Sequence, residues 1–417
     1  AAPNPWPAKA RALDRYRWLL LRERHGLVGS ALRFAREALG DWWFGVRAKS
    51  RLAEALPSEP CDFLLLQSSP KVIKLQRKKL LIEALRARGH RLIETALQEP
   101  KALLRERQFK RPPFRVPTRY FGIAAHAQWL VEHYQPRVLL NDRNGSLYSP
   151  FLRLALNARQ SVLVHLAHAT TGEGSRRLGM NDYDYYFLFG QSSLDALQAR
   201  ELRFGTSTAV LAGSHMIDKA FDLPPADRAR RVMLVLGVGP DKEKEAGYQR
   251  TYALLRDWAA RNSDYQMLIK AHPRSQVPFW QEAAGVLDNV SVLPRESSLA
   301  QALEQASVVI NIMSNAVIEA GLAARPVISV NLSEDADIFG QRTFFGDVLR
   351  GVDELSRRLD ALEKDYASAM VQSRDFGHFH LAHGSSGLEI NLQILEQLLR
   401  REGLPVQVES RALLATV

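Results

Sequence analysis

Residues 61–97 read CDFLLLQSSPKVIKLQRKKLLIEALRARGHRLIETAL, and the spacing of their apolar side chains decides the fold. CDFLLLQ is short and continuously apolar, as a strand buried on both faces is. IKLQRKKLLIEALRARGH then repeats apolar residues three and four apart among cations, the period of a helix laid on a sheet. RLIETAL is a second short strand, so the stretch is one βαβ unit. Outward from it come four more strand candidates, RVLLND (137–142), SVLVHLAHA (161–169), DYYFLFGQ (184–191) and TAVLAG (208–213), with helical stretches between them. A mostly parallel sheet follows. The polar, proline-containing segment 218–231 interrupts the pattern. A second series then runs through VMLVLGVGP, QMLIKAHP (266–273), VSVLP (290–294), SVVINIM (307–313) and PVISVN (326–331).

The expectation is an α/β protein of two doubly wound, Rossmann-like domains with a cleft between them and extra N-terminal helices. Its divisions are a basic amphipathic helical region (1–56), a first domain (57–222), a second domain (223–395) and a helical tail (396–417) that crosses back over the domains.

The 417 residues are 46% hydrophobic and 24% charged, which excludes a disordered chain. A single cysteine, Cys61, excludes an internal disulfide and a multi-cysteine zinc site, and fits a reducing, cytoplasmic setting. No run reaches the ~18 apolar residues of a membrane span. The chain begins with Ala and is expected to be a piece of something longer, with other domains as partners. Its net charge of +11 comes entirely from the N-terminal part, where residues 1–120 hold 26 Lys and Arg against 11 Asp and Glu. Such a field attracts phospholipid headgroups, nucleic acid or a phosphate-bearing substrate. Residues 9–56 read as a helix pair packed on the first domain with a solvated arginine face. Docking on the inner-membrane surface is the alternative, and would use Trp42, Trp43 and Phe44. No nucleic-acid recognition motif accompanies the charge, so nucleic acid is not expected as a partner.

In open parallel sheets, ligands bind beyond the carboxyl ends of the strands. In the second domain those positions are polar: Pro240, Asp241 and Lys242 after VMLVLGVG; His272, Pro273 and Arg274 after QMLIKA; Ser314, Asn315 and Glu319 after SVVINIM. The amides and the Ser314 hydroxyl opening SNAVIEAG can hold a phosphate. His272 can donate to the same phosphate as it leaves, and Glu319 can reach a ribose diol.

IKAHP followed by SNAVIEAGLAARPVIS resembles the nucleotide-binding half of GT-B glycosyltransferases that use CMP-activated acidic sugars. The resemblance makes His272 and Ser314 phosphate ligands and, by looser GT-B analogy, Glu319 a ribose ligand. Lys270 and Asn315 flank these motifs, and Pro294 and Ser297 fall near the base. The sequence lacks the paired-acid motif of bacterial sialyltransferases. Asp241, at the end of the second domain's first strand, is similar in placement to the key aspartate of the retaining β-Kdo transferases of O-antigen and capsule synthesis. On that resemblance Asp241 is the nucleophile and CMP-Kdo the donor. The acceptor is a lipid-linked saccharide at the cytoplasmic face of the inner membrane, and no metal or other cofactor is required.

The first domain matches the family only in its α/β rhythm. Its strand ends offer Gln67, Ser69 and Lys71, then Asp142, Arg143 and Asn144, then His165 and His168, as donors for the sugar carboxylate and the acceptor. Asp142 is the base in a rival reading, an inverting CMP-sialate type of transferase. A third reading is a UDP-sugar GT-B enzyme or a UDP-GlcNAc epimerase, a group that shares the SNAVIEAG-like helix. His378, His380 and His383 have the look of a metal motif but lack a completing carboxylate or cysteine.

Overall fold

The structure, a computed structural model, describes residues 4–167, 169 and 176–415. The described residues form twelve strands: β1 (Phe63–Gln67), β2 (Leu92–Ala96), β3 (Val138–Asn141), β4 (Val162–Leu166), β5 (Tyr185–Leu188), β6 (Thr206–Leu211), β7 (Val232–Leu236), β8 (Gln266–Lys270), β9 (Val290–Val292), β10 (Val308–Asn311), β11 (Val327–Ser329) and β12 (Ser410–Leu414). The chain divides into two units. Unit 1 comprises Ala1–Met216 and Leu388–Val417, and unit 2 is Ile217–Gly387.

Unit 1 carries a seven-stranded sheet in the order β12-β6-β5-β4-β3-β1-β2. All its neighbours are parallel except β12, which runs antiparallel to β6 along one edge. Every residue of β1 and β3 is buried, which is why these strands read as unbroken apolar runs rather than as alternation. Phe63, Leu65, Val138, Leu140, Val164 and Leu166 pack in one core with Leu392, Ile394, Leu395 and Leu398. Those last four residues lie on the helix Gly387–Leu399, so this helix belongs to unit 1 and not to the second domain. The tail expected to be helical from residue 396 instead leaves that helix and ends in the strand β12. Its short pattern, SRALL, suits an exposed sheet edge with one buried residue.

The helix expected across residues 73–90 is split into Pro70–Lys74 and Lys79–Ala87. Gln76 turns left-handed (φ 48°) between them. Beyond this turn Lys78 lies inward, 2% exposed, on the same face as Leu81 and Leu85, which are fully buried.

At the N-terminus, α1 (Pro5–Arg22) and α2 (Leu27–Lys49) form the expected helix pair. Helix α1 is tied down by Lys9 to buried Asp182 at 2.7 Å and by Asp14 to Arg119 at 2.5 Å. Helix α2 lies against the helix Thr118–Tyr134, and a Cβ on Gly45 would stand 1.8 Å from the Thr118 carbonyl oxygen. Only glycine permits that approach. Phe44 fills the space over Gly122 and packs with Phe109 and Phe121. It is therefore a core residue and not a surface anchor.

Unit 2 is a five-stranded, wholly parallel sheet in the order β11-β10-β7-β8-β9. Its core gathers Met233, Val235, Ile269 and Ile310 with Trp258 and Trp280 from the flanking helices. Where the unit begins and ends, Lys219 Nζ donates to Ser386 Oγ at 3.3 Å, so its entry and exit lie side by side.

In each sheet the chain lays strands to one side of the first strand and then crosses to the other. The change of direction falls between β1 and β3 in unit 1, and between β7 and β10 in unit 2. Crevices at such reversals are where open α/β sheets bind ligands.

Candidate functional site

In unit 2, Leu236 is level with Lys270 on one side and with Asn311 on the other. The three loops that follow therefore leave the sheet in one row. Their first residues are ~5 Å apart from strand to strand, so the outer two are ~10 Å apart. The loops bear Asp241, His272 and Ser314.

His272 is half-buried. Its Nδ1 accepts from the Arg274 backbone N–H at 3.2 Å, which keeps the proton of the neutral ring on Nε2 as a donor. Gly237 gives the turn its room, since a Cβ there would stand 3.2 Å from the His272 nitrogen. Ser275, 1% exposed, accepts from Val277 N–H at 3.0 Å and donates to Glu243 Oε2 at 2.5 Å. The other oxygen of Glu243 accepts from Tyr252 at 3.0 Å, and the Tyr252 oxygen accepts from Val238 N–H at 3.3 Å. One carboxylate thus joins the turn after β7 to the turn after β8. Val277, a β-branched residue with φ 44°, is held there against its own backbone preference.

Ser314 donates its N–H to Asn311 Oδ1 at 3.0 Å, and its hydroxyl oxygen accepts from Ala316 N–H at 3.2 Å. The hydroxyl proton is left to donate outward. Asn311 is itself fixed by Gln341, whose Oε1 accepts from its Nδ2 at 2.9 Å within the core. Glu319 sits in the first turn of the short helix Val317–Leu322. Burial pushes its carboxyl up to about 7, opposed by a hydrogen bond to its own backbone N–H. Asn315 is exposed.

Asp241 is exposed in the short helix Pro240–Glu243, directly after Gly239. Its neighbour Lys242 is drawn to Asp335 at 2.5 Å. The Lys242 ammonium and the Tyr248 hydroxyl hold the Asp335 carboxyl below its usual range. Lys270 ends β8 half-buried. Pro294 and Ser297 form a turn beyond β9, closed by Ser297 N–H on the Pro294 carbonyl at 3.1 Å. The intervening Arg295 donates to the Ser275 carbonyl at 3.3 Å, joining this turn to the His272 loop.

In unit 1, Leu66 pairs with Asn141 and Asn141 with His165, so the ends of β1, β3 and β4 are also level. The fully buried His165 ring lies 2.6 Å from Asn141 Oδ1 and 2.9 Å from Asn144 Oδ1, and stacks on Tyr183 at 4.4 Å. Asp142 is ion-paired with Lys78. Gln67, 3% exposed, donates to Glu94 at 2.9 Å, while its Oε1 has no partner among the described residues. Asn141, Asn144 and His165 thus form one polar cluster, and Gln67 is held separately by Glu94. Ser69 stands half-buried before Pro70, whereas Lys71 and Arg143 are exposed. His168 lies outside the described residues.

Sequence reasoning missed Lys78, Glu94, Glu243 and Ser275. Lys78 had a signal, since it falls three and seven residues before Leu81 and Leu85 and so on the buried stripe. For Ser275 and Glu243 no spacing gives the pairing. His380 bonds the Phe339 carbonyl at 2.9 Å, and among the described residues no three His, Cys, Asp or Glu side chains gather as metal ligands. No helix among those residues is long and apolar enough to cross a membrane.

No known family model matches the chain, and neither does any curated protein sequence. Solved structures do. A UDP-N-acetylglucosamine 2-epimerase superposes at a TM-score of 0.50 with 13% identity, covering 83% of this chain and 98% of its own. The glycotransferase of kitacinnamycin gives 0.48 and 16%, covering 82% and 99%. The UDP-GlcNAc 2-epimerase from Neisseria meningitidis gives 0.45 and 12%, covering 80% and 99%. The likeness is one of architecture: the chain has the GT-B type of fold, with two Rossmann-like domains.

Proposed function

We propose that the protein is a glycosyltransferase that binds a nucleotide-activated sugar at the strand reversal of unit 2, and that this donor is CMP-Kdo. The observation carrying the reading is the level row of strand ends that bears a histidine Nε2–H, a serine hydroxyl and an aspartate. The first two are donors suited to a departing phosphate, and the third is a nucleophile.

In this mechanism an Asp241 oxygen bonds to the anomeric carbon of Kdo as the bond from that carbon to the phosphate oxygen breaks. CMP leaves with the electron pair as a phosphate monoester, stabilised by His272 and Ser314. An acceptor hydroxyl oxygen then bonds to the anomeric carbon as the bond to Asp241 breaks, Asp241 leaves as a carboxylate, the hydroxyl proton passes to solvent, and the two inversions sum to retention. Glu319 faces the ribose. The acceptor is a lipid-linked chain of a bacterial surface polysaccharide, and the strand ends of unit 1 offer Asn144 and Gln67 as polar groups of the kind a saccharide requires. Asp142 is less suited to act as the base of an inverting enzyme, because Lys78 already engages it.

A second reading, a UDP-sugar enzyme, is favoured by the architectural likeness to the UDP-N-acetylglucosamine 2-epimerase. Intact-protein mass spectrometry separates the readings. After incubation with CMP-Kdo the wild type gains the mass of one Kdo unit and Asp241→Ala does not, with CMP-sialic acid and UDP-GlcNAc run beside them. An adduct on Asp241→Ala refutes the nucleophile. CMP released without an adduct, and only in the presence of acceptor, favours direct displacement; turnover of UDP-GlcNAc alone refutes the CMP assignment.

A further inference from the structure

Helix α2 has two apolar faces, and its own unit uses one. Ser30, Gly45 and Ala48 are buried against the rest of unit 1. On the opposite side Val28, Leu32, Leu39 and Trp43 are 72%, 68%, 67% and 59% exposed. At 100° per residue these four fall within an arc of about 60° and extend ~22 Å along the helix. Trp42, also exposed, borders them. A surface helix normally turns charge outward on this side.

The flank of the stripe is basic. Arg33, Arg36 and Arg47 are exposed and have no ion pair among the described residues. The acids of the helix are turned away from this flank: Glu37 and Asp41 are both bound to Arg17, at 3.0 and 2.7 Å.

The geometry points to α2 as a docking face for an anionic lipid bilayer, lying in the plane of the headgroups. The apolar stripe enters the acyl boundary, Trp42 and Trp43 sit at headgroup depth, and the arginines meet lipid phosphates. A second copy of the chain is a poorer occupant, since the flank offers no free carboxylate to answer another copy's arginines. The inference stands apart from the donor assignment and does not need it.

Vesicle co-sedimentation of the full chain tests it, with phosphatidylcholine vesicles made with and without phosphatidylglycerol. The wild type sediments with the anionic vesicles, less with the neutral ones, and is partly released by salt. The Leu32→Glu/Leu39→Glu variant, changed only at exposed positions and checked for an unaltered circular dichroism spectrum, binds at least about ten-fold more weakly. Arg33→Glu/Arg36→Glu loses the preference for anionic lipid. Absence of wild-type binding to anionic vesicles overturns the proposal, as does unchanged binding by the leucine variant. A wild-type dimer in light scattering that the leucine substitutions split assigns the face to self-association and overturns it too.

Discussion

The Ser275 hydroxyl donates to the Glu243 carboxylate at 2.5 Å, and this bond fastens the loop bearing His272 to the loop bearing Asp241. Ser275→Ala removes it together with the support of Val277 N–H. The expected loss is about 1.5–3 kcal/mol of stability, the usual range for a hydrogen bond to a charged group, read by denaturant unfolding. CMP affinity falls with it, although Ser275 need not touch the nucleotide. An unchanged affinity shows that the tie is structural only.

His272→Ala and Ser314→Ala are each expected to weaken CMP binding about ten-fold or more, by loss of one donor to a charged phosphate. Asp241→Asn leaves CMP binding unchanged, because the aspartate meets the sugar and not the nucleotide. Calorimetric titration with CMP distinguishes the three. Equal losses in all of them refute this division of roles.

Burial raises the Glu319 carboxyl from its ordinary 4.5 to about 7. Between those values the folded chain holds a proton that the unfolded chain has released. Stability from this group is therefore highest below pH 4.5, falls as pH rises to 7, and stays low above it. Glu319→Gln removes the dependence, so the variant gains on the wild type as pH is raised from 4.5 to 7. Melting temperatures measured across that range check it, and a constant gap contradicts the burial.

Lys78 and Asp142 form an ion pair whose side chains are 2% and 12% exposed. Lys78→Met strands the carboxylate and is expected to cost about 3–5 kcal/mol. Lys78→Met/Asp142→Leu recovers much of that loss, because no buried charge remains unanswered. A double variant as unstable as the single one shows that packing, rather than charge, sets the cost.

Gly45→Ala places a methyl group against the Thr118 carbonyl. Backbone on both sides leaves little to yield, and overpacking of this kind costs about 1–3 kcal/mol. The variant should melt earlier, whereas Gly40→Ala, facing open space, should not.

The sheets were legible because strands buried on both faces must be apolar throughout: FLLLQ and VMLVL leave no other reading. SRALL was not, since an edge strand with one buried side chain carries almost no pattern. The strand-end rule, which follows from topology alone, marked the loops of His272, Ser314 and Asp241, and these do leave the sheet in one row. Lys78 shares the helical stripe of Leu81 and Leu85, but its charge argued for the surface, and the Asp142 that answers it lies 64 residues away with no spacing to announce the pair. Phe44 could not be told from Trp42 and Trp43 by composition. Only the close approach at Gly45 decides which of them turns inward.

Unit 1 is interrupted by the whole of unit 2, and this sets the order in which a ribosome can complete the molecule. Leu392, Ile394, Leu395 and Leu398 are made last, yet they cover strands made near the beginning. Until they emerge, β1, β3 and β4 have an open apolar face and β6 a bare edge, the two features that invite aggregation in a nascent chain. Unit 2 has no such debt to the distant sequence and can close as soon as it leaves the tunnel. The half translated second therefore matures first, and a chain truncated after it strands the half translated earlier.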